Sequence, residues 1–270
     1  MPVLTFRLAS QRWQGLLALW LVHSLIETES SSGPRTVPIL IAAFLGFLGG
    51  QLVASLLEVA AVQITHFPGG MAQLARTAAP PWWASAVGLL GLWTGFGSAI
   101  YYANVYGNLM PLPDQWRPRR SDIAFVALGL VCQWLVDLLY LPFHFKQLNK
   151  PTTHLFGAAH GVEFVVLIVM TLLIAPLMEE WLFRGVILRS ISEGGTRHGS
   201  RSAVVVGVIA SAVLFALAHG EPLQFAGLAL FGVVLALLVV RTKRLVPSVI
   251  THVSFNGVAI IALVAQRSGH

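Results

Sequence analysis

Charge is scarce in this chain: Asp, Glu, Lys and Arg make up 10% of its 270 residues, against roughly a quarter in a soluble domain. Hydrophobic residues make up 56%, which excludes an ordinary water-soluble globule. Cysteine is nearly absent. The single Cys132 rules out an intrachain disulfide and a cysteine-built metal centre, so any metal would rest on His, Asp or Glu. There is no His-Glu-x-x-His, the helical zinc-and-base motif, and no repeated block, long linker or low-complexity tract. A cleavable leader is not expected either. Arg7 and Arg12 precede an apolar stretch, but Glu27-Thr28-Glu29-Ser30 follows it where small residues should stand.

What the chain does have is a series of apolar runs about as long as a bilayer core is thick, roughly 20 residues each. Seven are expected to span: Val37 to about Val62, Trp82 to about Val105, Ser121 or Asp122 to Leu141, Val162 to about Ser192, Ser202 to His219, Leu223 to Val240, and Val246 to about Ala265. A shorter run, Trp13 to Ile26, is either an interfacial helix or an eighth span. The fold class expected is therefore all-α, a polytopic transmembrane bundle, because only structures that close their own backbone hydrogen bonds cross lipid economically. Residues 1–36 form an N-terminal segment and 37–270 a single membrane-embedded domain. Gly46 and Gly50 stand at the spacing of close helix packing.

The formal charge of +6 reports topology rather than a nucleic-acid partner, since the cations sit in short connections beside apolar runs. Nine of them (Arg117, Arg119, Arg120, Arg189, Arg197, Arg201, Arg241, Lys243 and Arg244) fall on one side of the seven spans. Four (Arg76, Lys146, Lys150 and Arg267) fall on the other. The first side is expected to face the cytoplasm and the C-terminus the exterior.

Against this background the run Pro176-Leu-Met-Glu-Glu-Trp-Leu-Phe-Arg-Gly185 stands out, with two carboxylates and a guanidinium at membrane depth, where charge is costly and marks function. Four-residue spacing pairs Glu180 with Arg184 on one helix face and leaves Glu179, turned about 100° away, free for chemistry. Pro176 is expected to kink or loosen the helix just before the glutamates. The same spacing recurs in Phe215 and His219, and in His252 and Asn256. Glu179, His219, His252 and Asn256 would then converge in one cavity, although counting residues from the cytoplasmic ends puts His219 near 26 Å depth, against roughly 15 and 9 Å for Glu179 and His252. A proton-coupled transporter is the rival reading, with Glu58, Asp137, Glu179 and His219 as relay groups.

Glu-Glu-x-x-x-Arg at 179 to 184, Phe-x-x-x-His at 215 to 219 and His-x-x-x-Asn at 252 to 256 resemble, in order, the three motifs of the CAAX protease and bacteriocin-processing (CPBP, Abi) family of intramembrane proteases, related to the type II CAAX prenyl endopeptidases. The protease-like core covers about 162–265. The resemblance implies a hydrolase of peptide bonds in a membrane-associated peptide or protein, in a prokaryotic cell membrane. Glu179 and His219 would activate water, His252 and Asn256 would form the oxyanion hole, and Glu180, Arg184 and Phe215 would support them. No cofactor is expected. The alternative is zinc on Glu179, His219 and His252, a two-histidine, one-carboxylate set with a fourth position for water; Asn256 suits an oxyanion hole better than zinc. A non-cleaving peptide-binding or immunity protein of the same build is a further alternative.

Overall fold

The helices form where lipid-length apolar runs leave the backbone no solvent partner. The computed structural model describes residues 35–109, 113–144, 148, 150–195 and 200–268; the run Trp13 to Ile26 lies outside them. In chain order the elements are α1 (Thr36–Ile64), the short α2 (Gly70–Leu74), α3 (Trp82–Gly107), α4 (Ala124–Tyr140), the short α5 (Lys150–Phe156), a long α6 (Gly161–Gly194), α7 (Arg201–Ala218), α8 (Phe225–Thr242) and α9 (Val246–Ser268). Seven of them, α4 extended by flanking 3₁₀ turns to Arg120–Phe143, are long and apolar enough to cross a membrane. Their bounds match the expected spans to within about three residues, the usual fuzziness of helix ends. No strand occurs among the described residues.

The glycine spacing in α1 has a counterpart in α3. Gly46 and Gly50 meet Gly91 and Gly95, so that a methyl group added to Gly95 would collide with the Gly46 carbonyl and the Gly50 backbone. Gly95→Ala is therefore expected to force α1 and α3 apart, costing about 1–3 kcal/mol as overpacking. The measurement is thermal unfolding in detergent, and an unchanged midpoint would refute the contact.

Helix α6 is not uniformly wound. Two stretches, Met170–Ile174 and Trp181–Leu188, are π-helical, with backbone bonds reaching back five residues rather than four. Pro176 lies just beyond the first, with Ala175 between them. The expected loosening at the proline takes the form of a wide turn, and the helix continues through it.

The depth mismatch dissolves because the helix ends are staggered. Leu245, at the head of α9, lies against Gly185, nine residues before the end of α6 at Gly194. Alongside, Gly207 of α7 faces Leu188 and Ser192. The α6–α7 hairpin thus projects about 14 Å beyond the start of α9. Measured from the level of Leu245, Glu179, His219 and His252 all lie about 9 to 13 Å deep. The recessed α8–α9 turn is covered by the 3₁₀ turn Pro113–Trp116: Leu245 N–H donates to the Gln115 carbonyl, and Trp116 packs edge-on against Trp181. Beside it Arg244 forks onto both oxygens of the buried Asp122, whose carboxylate also accepts the Arg119 N–H at the head of α4.

Candidate active site

The adjacent glutamates diverge as helical geometry requires. Glu180 and Arg184 are fully buried and paired at 2.9 Å. Two further contacts make this pair the centre of a network. Glu180 Oε1 also accepts from His252 Nδ1 at 2.9 Å, and Arg184 Nη2 donates to the Gly232 carbonyl of α8 at 3.1 Å. One ion pair therefore joins α6, α8 and α9.

Glu179 keeps 15% of its side chain accessible, and its Oε2 faces two imidazoles: His252 Nε2 at 3.7 Å and His219 Nε2 at 4.0 Å, the latter on a ring that is 30% accessible. The tautomer of His219 follows from its other nitrogen. Nδ1 lies 2.8 Å from the Phe215 carbonyl, which can only accept, so Nδ1 carries the hydrogen and Nε2 presents a lone pair toward Glu179. Phe215, fully buried, is the spacer of the site. Its ring lies 4.6 Å from His219, 5.4 Å from His252 and 4.5 Å from the Arg184 guanidinium carbon. Phe231 of α8 closes the other flank of His252.

Asn256, one turn beyond His252 on α9, donates through Nδ2 to the Thr171 carbonyl of α6 at 3.3 Å. His252 sits between the two glutamates, with Asn256 against the π turn of α6. The groups that sequence reasoning missed are backbone acceptors, the carbonyls of Phe215, Gly232 and Thr171, together with Ser211, whose hydroxyl donates to Phe183 O. Side-chain spacing carries no signal for a carbonyl. Only the proline at 176, which withholds a helical donor, marks one of them.

The other intramembrane acids stand apart. Asp137 accepts from Gln133 within its own helix at 2.9 Å, and the Glu58 carboxylate lies beside Gly88 of α3. Among the described residues no group of three His, Cys, Asp or Glu side chains is disposed to hold a metal ion.

Residues 160–258, which hold Glu179, Glu180, Arg184, His219, His252 and Asn256, match the family model of the type II CAAX prenyl endopeptidases, Rce1-like. This segment is similar to the CAAX protease and bacteriocin-processing family. The chain is 30% identical over 154 residues to the membrane-embedded CAAX protease MroQ of Staphylococcus aureus (strain USA300), an alignment covering 53% of this chain and 59% of that protein. The chain thus matches somewhat more than half the length of this curated relative. No solved structure matches it. The seven helices long and apolar enough to cross a membrane, together with these matches, make it a multi-pass integral membrane protein, and the three motifs that resemble those of the CAAX protease family all fall within the matched segment.

Proposed function

We propose that the chain is an intramembrane endopeptidase that hydrolyses a peptide bond of a membrane-associated peptide or protein without a metal. The observation that carries the reading is the convergence on Glu179 Oε2 of two imidazole nitrogens from two other helices, at 3.7 and 4.0 Å. Glu179 Oε2 and His219 Nε2 are both acceptors. A single water bridging them donates both its hydrogens, leaving an oxygen lone pair for the substrate carbonyl. As that oxygen bonds to the carbonyl carbon, Glu179 takes its proton and later delivers it to the departing amine when the C–N bond breaks.

The developing oxyanion requires donors already in place. Asn256 has a second amide hydrogen beyond the one given to Thr171. His252 is the second donor, its ring held through Nδ1 by Glu180 with Nε2 turned into the site.

The purified protein in liposomes is expected to cleave members of a fluorescence-quenched peptide library. Elemental analysis of the same preparation decides the metal question. Activity with well under one zinc per chain, persisting through dialysis against a chelator, supports the reading, and stoichiometric zinc lost together with activity overturns it. A library left intact by wild-type protein that nevertheless binds peptides would select a non-cleaving, protease-like binding protein. Proton flux that depends on Glu58, Asp137, Glu179 and His219, without cleavage, would select the transporter.

A further inference from the structure

The π turn before the glutamates and the amide of Asn256 are two halves of one arrangement. Within Met170–Ile174 the backbone ladder has shifted by one residue, so that Ala175 N–H reaches back to the Met170 carbonyl. The next amide in that ladder is residue 176 and its acceptor is the Thr171 carbonyl. Residue 176 is proline and has no hydrogen to give. The hydroxyl of Thr171 does not compensate, because Oγ1 is engaged one turn back on the Leu167 carbonyl at 2.7 Å. A carbonyl left without a donor in a packed membrane bundle is costly. The Thr171 carbonyl finds its donor on another helix, at Asn256 Nδ2 of α9, 3.3 Å away.

We propose that Pro176 is a positioning residue for the reaction: by withholding a backbone hydrogen it leaves the Thr171 carbonyl to anchor one amide hydrogen of Asn256, which orients the second toward the substrate carbonyl. This rests on the reading of Asn256 as an oxyanion donor. The asparagine amide fits the task because its two hydrogens diverge in one plane, so that fixing one fixes the direction of the other. A helical N–H at position 176 would compete for the same carbonyl and leave the asparagine free to rotate.

Pro176→Ala and Pro176→Gly both restore that N–H, yet they change helix propensity in opposite senses. A shared loss would therefore come from the restored donor and not from propensity. Measured on a quenched peptide cleaved by the wild-type protein in liposomes, both are expected to lower kcat by about 10- to 100-fold, with KM unchanged. Pro176→Ala should unfold at or above the wild-type temperature. Neither should lower activity further in an Asn256→Ala background, since coupled groups fail to add. Wild-type kcat in Pro176→Ala beside a crippled Asn256→Ala overturns the positioning role alone, as does a fully additive loss in the double variant. A fully active Asn256→Ala overturns instead the oxyanion reading on which the proposal rests. A structure of Pro176→Ala gives an answer independent of turnover. Asn256 displaced from the Thr171 carbonyl supports the proposal, and Asn256 still within hydrogen-bond distance of it overturns it.

Discussion

Glu179→Gln is expected to lower peptide turnover by about 1000-fold or more while leaving the unfolding temperature of the protein unchanged. The side chains are nearly isosteric, but an amide cannot take the proton of an attacking water, and loss of a placed general base typically costs 100- to 10,000-fold. The fold is expected to tolerate the change because Glu179 belongs to no ion pair with Arg184; that role is filled by Glu180 at 2.9 Å. His219 and His252 each keep the hydrogen bond made by the other ring nitrogen, to Phe215 O and to Glu180, so both imidazoles stay in place. Single-turnover cleavage by wild-type and variant protein in liposomes measures the effect. Undiminished cleavage by the variant would remove Glu179 from the mechanism.

Arg184→Leu is expected to act on the other side of the division between chemistry and scaffold. It strands Glu180 at zero exposure and removes the donor that the Gly232 carbonyl of α8 now has. Breaking a buried pair from one side typically costs about 3–5 kcal/mol, which corresponds to a fall in unfolding midpoint of roughly 10 °C for a chain of this size. Glu180→Leu combined with Arg184→Leu takes both charges out of lipid and should recover most of that stability. It should not recover activity, since His252 Nδ1 would have lost the carboxylate that fixes its ring. Thermal unfolding and cleavage measured on the single and double variants separate the two effects. An Arg184→Leu protein as stable as wild type would show that the pair is not a structural clamp.

Much of this architecture is legible in the sequence, for a simple physical reason. Lipid forces each span to be apolar along its whole length, so the boundaries of α1, α3 and α6 through α9 read directly from hydropathy. Scarce charge makes each exception conspicuous: Glu179, Glu180, Arg184, His219 and His252 were all visible as the polar residues of otherwise apolar helices. Three things were not visible. The stagger that brings His219 level with Glu179 depends on how far one hairpin extends past another turn, which is a property of packing and not of any single span. The seating of His252 between the two glutamates depends likewise on the approach of α9 to α6. The carbonyl partners of Arg184, His219 and Asn256 were invisible because every residue has a carbonyl. Pro176 was conspicuous, and the kink expected of it stood for a more local event, a shifted ladder and a freed acceptor.

The distribution of the site over α6, α7, α8 and α9 also bears on when the proposed activity can arise. Insertion into a membrane proceeds from the N-terminal helix onward, and through most of that process Glu179, Glu180 and Arg184 are present without His252 or Asn256, which arrive together on α9. Until then the Thr171 carbonyl lacks its asparagine and Glu180 lacks its histidine. Under the proposed mechanism a nascent chain is therefore silent beside its unfolded neighbours in the membrane, and cutting ability appears in one step as α9 docks.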